Sequence, residues 1–508
     1  MISILNTDLY GLNLLFLCKI LPCAAALLIV TLPSWKVNTI RNVALISSLG
    51  TFILSLGLML LFDPGCADFQ YAYTVQGSSL GNLFNFSFGF GVDGLNLWLI
   101  LLTTFLTPIC ILVGWLIPAS LTLRGPEFLK TYALIFLSME AILIVAFSAR
   151  DLLVFYLFFE AVLIPMFLLV GMFGSQPRNI RAAYKMFLVT LMGSFPMLAG
   201  ILMIYFQCGS TDMDILACTY FSSHRQIILW LLMFLSFGVK TPLVPLHGWL
   251  PETHTNAPTG GSIMLAGILL KLGTYGFMRW SLTLFPFACV YFSPFVYILC
   301  LIGIIYVSLI TLRQADVKKI IAYSSVAHMG CCVLGMFTFN APGLEGSLLM
   351  MIGHGVVSPG LFLCIGILYD RYKTRVVHYY GGLALTMPLF STALLILTMA
   401  NISLPVLSPT FAAELLIFTG VYHVNKIVAL CASSTMVLTA AYALFLYARV
   451  CFGVLKTVYI TKYSDLSRRE FAALAPFVIL SVVLGLVPSI VLDTSHVCIN
   501  AILLMYGN

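Results

Sequence analysis

Residues 237–251 read Phe-Gly-Val-Lys-Thr-Pro-Leu-Val-Pro-Leu-His-Gly-Trp-Leu-Pro, which places Lys240 and His247 among three prolines in an otherwise apolar stretch. Proline lacks a backbone donor and leaves carbonyl oxygens unpaired, so this stretch predicts a broken helix. Such a break is tolerated at membrane depth only where protein or water satisfies the backbone. An ordinary proline kink is the simpler interpretation. Lys240 favours a functional break, because a lysine in hydrocarbon is costly and marks a route for charge.

The whole chain has the composition of a membrane protein. Of its 508 residues, 61% are hydrophobic and 8% are charged, and the mean hydropathy is +1.06. Soluble domains typically carry about 25% charged residues. We therefore predict an all-α polytopic membrane protein without a separate soluble domain. Several uncharged runs reach the roughly 20 residues that a membrane-spanning helix needs; they cover 42–62, 94–123, 186–211 and 280–312.

Apolar runs separated by polar, proline or glycine clusters predict about 14 transmembrane helices. These begin near residues 11, 42, 92, 127, 151, 183, 226, 259, 287, 316, 346, 388, 427 and 471. Lysine and arginine should gather in the inner loops, and alternate loops of this assignment do hold most of them, including Arg124, Lys318 and Lys462. Both termini are therefore predicted on the outer side, opposite the matrix or cytoplasm. The outer loops hold Arg150, Arg225, Arg279 and Lys426, and the lysines within spans are Lys19, Lys240 and Lys271.

A second interrupted stretch lies in the other half of the chain. The sequence Ala-Asn-Ile-Ser-Leu-Pro at 400–405 leads through Pro409 to Glu414. Lys240 and Glu414 are therefore predicted to occupy matching places. Two interrupted spans in corresponding positions are typical of transporters that are built from repeated units. We predict two inverted-topology five-helix repeats, each of which contains a broken helix.

The predicted organisation has four regions. Residues 1–125 form an N-terminal three-helix region, 126–282 and 283–452 form the two repeats, and 453–508 form an inner-surface segment with the last membrane helix. Within the last region, the basic and tyrosine-containing stretch 451–470 predicts a segment that lies on the inner surface of the membrane. A plain solvated loop is the alternative interpretation.

Ionisable side chains recur inside the predicted spans. Buried charges should pair or face water, and a series of them on several helices indicates a proton or ion route. The alternative is that each group merely ties two helices together. The candidate residues are Glu140, Glu160, Lys240, His247, Lys271, His328, His354 and Glu414.

Glu160 is the predicted partner of Lys240, and it lies before Pro165 on the fifth predicted span. A carboxylate that approaches or leaves a buried lysine switches the proton affinity of that lysine. Histidine is suited to carry protons because it titrates near neutral pH. The predicted carriers beyond the Glu160 and Lys240 pair are Lys271, His328 and His354, and the predicted terminal exchange site is Glu414.

Other chemistry has weaker support in the sequence. Haem ligation is a rival interpretation of His328 and His354, but no haem-attachment motif accompanies them. The 14 cysteines are scattered without a Cys-x-x-Cys pair, so neither an iron–sulfur cluster nor a zinc site is indicated. The histidines in or near predicted loops are expected to be solvated; these are His224, His254, His378 and His423.

Motifs along most of the chain, from Asp93 to His496, resemble the antiporter-like subunits of respiratory complex I. Most of these motifs contain one of the candidate residues. They are Glu-Ala-Val-Leu-Ile-Pro-Met-Phe at 160–167, Val-Lys-Thr-Pro at 239–242, His-Gly-Trp-Leu-Pro at 247–251, Ala-Pro-Thr-Gly-Gly-Ser at 257–262, Leu-Lys-Leu-Gly-Thr-Tyr-Gly at 270–276, Tyr-Ser-Ser-Val-Ala-His-Met at 323–329, His-Gly-Val-Val-Ser at 354–358, Leu-Tyr-Asp-Arg at 368–371 and Tyr-Gly-Gly at 380–382.

The resemblance implies a proton-translocating subunit in the membrane arm of NADH:ubiquinone oxidoreductase, with other membrane-arm subunits and lipids as partners and no nucleic acid. It implies that NADH, FMN, iron–sulfur clusters and ubiquinone act in other subunits and that this chain holds no redox active site. The matching proton-path positions are Glu160, Lys240, Lys271, His328, His354 and Glu414, with Glu140 as an accessory.

The resemblance also bears on location and on departures from the family pattern. The expected location is the mitochondrial inner membrane, with synthesis inside the organelle because no leader precedes the first span; the bacterial plasma membrane is the alternative. Asn256 stands where an acidic residue is common and alanines at 412–413 where glycine is usual, and Pro359 follows Ser358 inside the eleventh span. Asn256 is expected to weaken an access route at the outer side, and the alanines are expected to stiffen the second helix break.

Two rival functions remain open at this point. Subunits of multi-subunit cation/proton antiporters share the same predicted architecture and need no redox partner. The segments 368–382 and 464–466 favour complex I. A passive scaffold, whose buried charges only hold helices together, is the third possibility.

Overall fold

The computed structural model describes residues 14–76, 87–116, 127–174, 177–456, 459 and 463–507. The predicted start of the first span near Gly11 lies outside these residues, as do Arg124 and Lys462, which were assigned to inner loops. Within the described residues the chain is a helical bundle with one two-stranded β-hairpin. The prediction of an all-α membrane protein is therefore confirmed except for this hairpin.

Eleven of the described helices are long and apolar enough to cross a membrane. They occur along the whole chain and include most of the predicted spans. Their bounds are α1 (Leu14–Thr31), α2 (Val37–Leu60), α4 (Glu127–Ser148), α5 with α6 (Leu152–Ala161 and Leu163–Phe173), α7 (Asn179–Cys208), the central helix of α11 to α13 (Thr259–Leu284), α14 (Pro286–Leu312), α15 (Val317–Met336), α16 (Ala341–Tyr372), α20 (Lys426–Cys451) and α21 (Arg468–Leu486).

Polar side chains fix the starts of several of these helices. The Asp151 carboxylate accepts hydrogen bonds from the first amides of α5, and Asp316 and Asn425 do the same for α15 and α20. These caps satisfy donors that have no partner within the helix. Ser467 and Glu470 form a reciprocal capping box at the start of α21.

The remaining helices are shorter and include the two interrupted elements. The first interrupted element consists of the helices Ser223–Lys240 and Trp249–Asn256, which a non-helical segment joins. The second consists of the helices Pro388–Asn401 and Pro409–Val424 in the same arrangement. The helices are α3 (Leu97–Val113), α8 (Met213–Ala217), α9 (Ser223–Lys240), α10 (Trp249–Asn256), α17 (Leu383–Thr386), α18 (Pro388–Asn401), α19 (Pro409–Val424) and α22 (Ser489–Leu504). Both predicted helix breaks are therefore present.

The centre of the bundle is formed by the helices Thr259–Leu284 and Ala341–Tyr372. Every residue in the most apolar 18-residue stretch of each helix is buried. The first of these helices is divided into α11 (Thr259–Met264), α12 (Leu270–Gly276) and α13 (Leu282–Leu284) by two π-helical turns, Leu265–Leu269 and Phe277–Ser281. A π turn shifts the backbone hydrogen bonds and often marks a functional position. In the corresponding stretches of α1 and α2, only 33% and 28% of the residues are buried, so these two helices lie at the surface of the bundle.

The last predicted span is two helices. After α21, the chain passes Val487 and Pro488 and continues as α22, which the sequence analysis did not separate. Trp98 Nε1 at the start of α3 donates to Thr494 Oγ1 over 2.8 Å, and Tyr506 OH donates to the Leu282 carbonyl oxygen over 2.7 Å. Helix α22 therefore lies across the ends of other helices.

The β-hairpin pairs Gln70–Gln76 (β1) with Ser87–Val92 (β2) in antiparallel register. The amine of Lys19 on α1 lies 3.4 Å from the ring centroid of Phe90 and 5.0 Å from that of Tyr73. A cation over an aromatic face is stabilised by the ring quadrupole. Lys19 therefore holds the hairpin against α1.

The stretch 451–470 is only partly described. Tyr459 stacks on Tyr379 with ring centroids 4.4 Å apart, and the ring centroids of Tyr463 and Tyr372 are 6.1 Å apart. Arg371 forms an ion pair with Glu470. These side chains attach the stretch to the end of α16 and to the loop that follows it. Its position on the membrane surface stays a prediction.

Candidate functional site

The first helix break follows directly from the prolines of 237–251. Helix α9 ends at Lys240, and α10 begins only at Trp249. Thr241 Oγ1 donates to the Phe237 carbonyl oxygen over 2.8 Å, and Trp249 Nε1 donates to the Val239 carbonyl oxygen over 3.0 Å. The Phe237 carbonyl group thus accepts from both the amide and the hydroxyl of Thr241, and the Val239 carbonyl group at the break has a side-chain donor.

Lys240 is 4% exposed at this helix end. Its Nζ donates to the carbonyl oxygen of Phe159 and lies 3.4 Å from the centroid of the Phe159 ring. Glu160 is the next residue, and its carboxylate interacts electrostatically with the Lys240 amine. Within the described part of the chain, the two groups form no ion pair within 4.0 Å. Lys240 and Glu160 are therefore neighbours that are not in contact.

Lys271 lies in the completely buried central helix, directly after the first π turn. Its Nζ donates to the Ala266 carbonyl oxygen over 2.5 Å and lies 2.8 Å from Nδ1 of His354 on α16. The π turn places a backbone acceptor beside a buried amine, because it shifts the carbonyl groups from their usual pairing. Lys271 is thus in direct contact with one of the predicted histidine carriers.

The contacts continue from His354 to the second helix break. The His354 and His328 ring centroids are 5.8 Å apart, and His328 Nδ1 lies 3.6 Å from Glu414 Oε1. All three residues are buried. The remaining nitrogen of each ring, Nε2, has no hydrogen-bond partner among the residues that the structure describes. Lys271, His354, His328 and Glu414 therefore form one series, which we call the central polar series.

Glu414 does not occupy the place that Lys240 has in the first break. Lys240 is the last residue of the helix before the break, whereas Glu414 lies on α19, after the second break. Asn401 ends the helix before the second break. The predicted match between Lys240 and Glu414 is therefore wrong in position. Lys240 precedes the prolines of its break and Glu414 follows those of its own, so the two charges lie on opposite sides of their breaks.

The first break packs against the helix that carries Lys271. A Cβ atom on Gly273 would lie 3.0 Å from the Phe237 carbonyl oxygen and 2.9 Å from the Thr241 amide nitrogen. Only a residue without a side chain allows two backbones to approach so closely. Gly273 therefore brings the ends of α9 and α12 together, and Lys240 and Lys271 lie on adjacent segments.

Two predicted candidates lie apart from the central polar series. The Glu140 carboxylate is completely buried and accepts a hydrogen bond from Thr51 Oγ1. His247 lies in the first break, with its ring centroid 6.4 Å from that of Tyr323, and its Nδ1 has no partner among the described residues. The structure does not bring Glu140 or His247 into contact with the other candidates.

Three residues that the sequence analysis assigned to loops are buried. His254 is 0% exposed on α10, and Lys318 is buried at the start of α15. Arg279, predicted in an outer loop, lies in the second π turn and forms a buried ion pair with Asp93. The loop assignments failed because a polar residue near the end of an apolar run gives no sign of which chain segment covers it.

Tyr442 was also missed. It is buried on α20, and its phenol interacts electrostatically with Glu414. A single tyrosine in an apolar helix is an ordinary core residue, so its sequence carried no functional signal. The described His, Cys, Asp and Glu side chains form no group of three that could hold a metal ion.

A buried series of lysine, histidine and glutamate beside broken membrane helices defines a class of proton- and ion-transporting membrane subunits. The sequence profile of this class, described as NADH:quinone oxidoreductase/Mrp antiporter, transmembrane, matches residues 149–439. The match covers more than half of the chain. The chain therefore belongs to this family of antiporter-like membrane proteins, as the resemblance in its motifs implied.

The relatives narrow the assignment. The chain is 50% identical over 481 residues to NADH-ubiquinone oxidoreductase chain 4 of Marchantia polymorpha, covering 95% of both chains. It is 49% identical over 491 residues to chain 4 of Arabidopsis thaliana, covering 97% of this chain and 96% of the relative. Within the family, this chain thus belongs with the NADH-ubiquinone oxidoreductase chain 4 proteins.

Solved structures agree with this placement. A chain of respiratory complex I from Thermus thermophilus with bound NADH is similar with a TM-score of 0.85 and 29% identity, covering 97% of this chain and all of that one. A chain of the Mrp complex from Dietzia sp. has a TM-score of 0.83 at 19% identity, covering 97% of both chains. The second similarity concerns the fold alone.

Proposed function

We propose that this chain is a proton-translocating subunit in the membrane arm of respiratory complex I, located in the mitochondrial inner membrane. The central polar series carries the proposal, because it extends through the buried middle of the bundle from Lys271 to Glu414. Buried ionisable groups on several membrane helices are expensive and are kept for the movement of charge. The membership in the chain 4 family supports the same function.

In the proposed mechanism, Glu160 controls the proton on Lys240. The two charges interact without contact, so a small movement of either side chain changes how strongly the carboxylate stabilises the protonated amine. The Phe159 carbonyl oxygen and ring hold the amine in the absence of that contact. Moving one charge against a membrane potential of 100 mV costs about 2.3 kcal/mol. Redox chemistry in other subunits would supply this energy and drive the movement.

The two histidines then act as relays. Each faces a charged partner with Nδ1, His354 facing Lys271 and His328 facing Glu414, and each leaves Nε2 without a partner among the described residues. A neutral imidazole accepts a proton on one nitrogen and gives it up from the other. A proton received from Lys271 could therefore pass through both rings to Glu414, with water between the two Nε2 atoms.

We further propose that the chain crosses the membrane about 14 times and contains two inverted-topology repeats at 126–282 and 283–452, between regions 1–125 and 453–508. The long apolar helices, α3 and the two interrupted elements together support this number. The two breaks support the repeats, because each is closed by a side chain that donates back to a carbonyl before the break. Both termini would lie on the intermembrane-space side.

The proposed assembly places the redox groups elsewhere. NADH, FMN, iron–sulfur clusters and ubiquinone would bind to other complex I subunits, and this chain would hold no redox active site. Exposed apolar side chains on α1 and α2 support contact with lipids or with other membrane-arm subunits. These partners would anchor the chain in the arm.

The test replaces the buried amine and a surface amine in the assembled complex. Lys240→Met should abolish most NADH-driven proton pumping in membrane vesicles while the complex still assembles. Lys426→Met changes an exposed lysine and should pump normally. Normal pumping by assembled Lys240→Met complex would contradict the proposal and would favour a scaffold. Sodium exchange by a stable assembly that lacks redox subunits would favour an antiporter.

A further inference from the structure

His254 is a buried histidine whose surroundings differ from those of a structural core residue. Its side chain is 0% exposed on α10, and its ring stacks on Phe362 of α16 with centroids 4.5 Å apart and an interplanar angle of 2°. Neither ring nitrogen has a hydrogen-bond partner among the described residues. Buried polar side chains nearly always have partners. The stacked ring therefore presents two unpaired nitrogens along its edge.

Charged groups surround this ring from three other segments. Lys271 on α12, Lys318 on α15 and His354 on α16 all interact electrostatically with His254. Lys318 Nζ donates to the Ala257 carbonyl oxygen over 3.0 Å, directly after the helix that carries His254. His254 therefore interacts both with Lys318 and with the start of the central polar series.

A small cavity lies beside Asp370, a residue that interacts electrostatically with Lys318. The cavity has a volume of about 20 Å³, which is enough for one water molecule. Its lining includes Asp370 and Glu470, as well as Thr259 at the start of the central helix. Asp370 interacts electrostatically with Lys318. Polar groups thus continue from this cavity through Lys318 to His254.

The cavity and the stack on His254 share one helix. Leu363 and Gly366 of α16 line the cavity, and Phe362 of the same helix covers the face of the His254 ring. Gly366 packs tightly against Thr259, since a Cβ atom there would lie 2.2 Å from Thr259 Cγ2. The ring is therefore stacked on a helix that packs tightly beside the cavity.

We propose that His254 is a proton relay that connects the cavity beside Asp370, by way of Lys318, to the Lys271 and His354 pair. This inference rests on the proposed function and adds an entry to the central polar series. One ring nitrogen accepts a proton from the Lys318 amine, which regains a proton from the cavity by way of Asp370, and the other nitrogen releases a proton toward Lys271. The exchange restores a neutral imidazole and needs no other reactant. Phe362 supplies an apolar wall that fixes the ring.

The first experiment measures NADH-driven proton pumping in vesicles that contain the assembled complex. His254→Gln keeps polar atoms but cannot relay a proton, and it should pump at least roughly tenfold more slowly, because loss of one acid–base group typically costs about 10²-fold or more. His378→Gln changes an exposed histidine and serves as the matched control with normal pumping. A normal rate for assembled His254→Gln complex would overturn the inference.

A second measurement separates a relay from a structural role. In the His254→Gly variant, added imidazole should restore pumping at least several-fold, because a free imidazole can take the place of the missing ring. Imidazole should leave the native complex unchanged. An assembled His254→Gly complex that pumps slowly and gains nothing from imidazole would assign His254 a packing role and overturn the inference.

Lys318→Gln tests the same route with the His254 ring intact. It should also slow pumping roughly tenfold if the cavity is the source of protons. If His254→Gln reduces assembly, normal pumping by Lys318→Gln overturns the inference. If Lys240→Met stops pumping while His254→Gln and Lys318→Gln pump normally, only the relay is wrong. Normal pumping in all three variants would reject the proposed function as well.

Discussion

The two helix breaks of this chain hold their charges in different ways. At the first break, the Lys240 amine is held by the Phe159 carbonyl oxygen and ring, and Glu160 interacts with it from more than 4.0 Å. At the second break, Glu414 lies 3.6 Å from His328 and ends a series of close contacts. The first break therefore has a separated pair, and the second has a contact series.

This difference suggests a division of labour within one subunit. A separated pair has no direct contact that fixes its distance, so a movement that brings the two charges together changes their interaction. A contact series transfers protons over short steps and needs fixed geometry. The first half would then control the proton, and the second half would conduct it.

The largest effect is expected at the ion pair that holds the central helix in place. Asp93 and Arg279 are buried and paired at the end of the helix that carries Lys271. Asp93→Leu leaves an uncompensated arginine and should cost about 3–5 kcal/mol of stability. The amount of assembled complex on a native gel should fall sharply. The double variant Asp93→Leu with Arg279→Leu should recover much of it; no recovery would contradict this explanation.

The next effect concerns the contact series at the second break. Glu414→Asp shortens the side chain by one carbon–carbon bond and should open its 3.6 Å contact with His328. Pumping should slow roughly tenfold because a proton-transfer step lengthens. The exposed Glu127→Asp variant provides the control. Equal pumping rates in the two variants would show that the contact with His328 does not conduct protons.

A smaller effect is expected at the clamps that close the two breaks. Trp249 donates to Val239 at the first break, and Thr410 Oγ1 donates to Ala400 over 2.7 Å at the second. Thr410→Val should lower the free energy of unfolding by about 1 kcal/mol, the typical net contribution of one hydrogen bond. Thermal unfolding of the purified complex would measure the loss. No loss would mean that the second break does not depend on this clamp.

The smallest effect is expected from the matched carboxylate change at the first break. Glu160→Asp should slow pumping only about two- to threefold, because the carboxylate already acts on Lys240 without contact. Glu414→Asp makes the same side-chain change at the second break, so its pumping rate in the same assay is the value for comparison. If Glu160→Asp slowed pumping as much as Glu414→Asp, the distinction between a separated pair and a contact series would be lost.

The sequence was sufficient to predict much of this arrangement. The prolines around Lys240 and Glu414 predicted both breaks, and buried charges in apolar runs identified every member of the central polar series. The order of that series was open, because Lys271, His354, His328 and Glu414 come from different helices whose packing depends on many weak contacts. The direct contact between Lys271 and His354, for instance, joins residues on separate helices.

Other features had no sign in the sequence. His254 and Arg279 lie near the ends of apolar runs, where a loop and a buried helix end look alike. Their burial depends on α16 for His254 and on the start of α3 for Arg279. The division of the last span into α21 and α22 was likewise missed, although Pro488 is consistent with the helix end.

The proton-to-electron ratio of the assembled complex carrying Lys271→Met tests the central claim most directly. Lys271 begins the contact series and lies on the helix that packs against the first break. The variant should assemble. Either fewer protons should cross the vesicle membrane for each NADH oxidised, or NADH oxidation should slow together with pumping. An assembled variant that oxidises NADH at the native rate and pumps at the native ratio would contradict that claim.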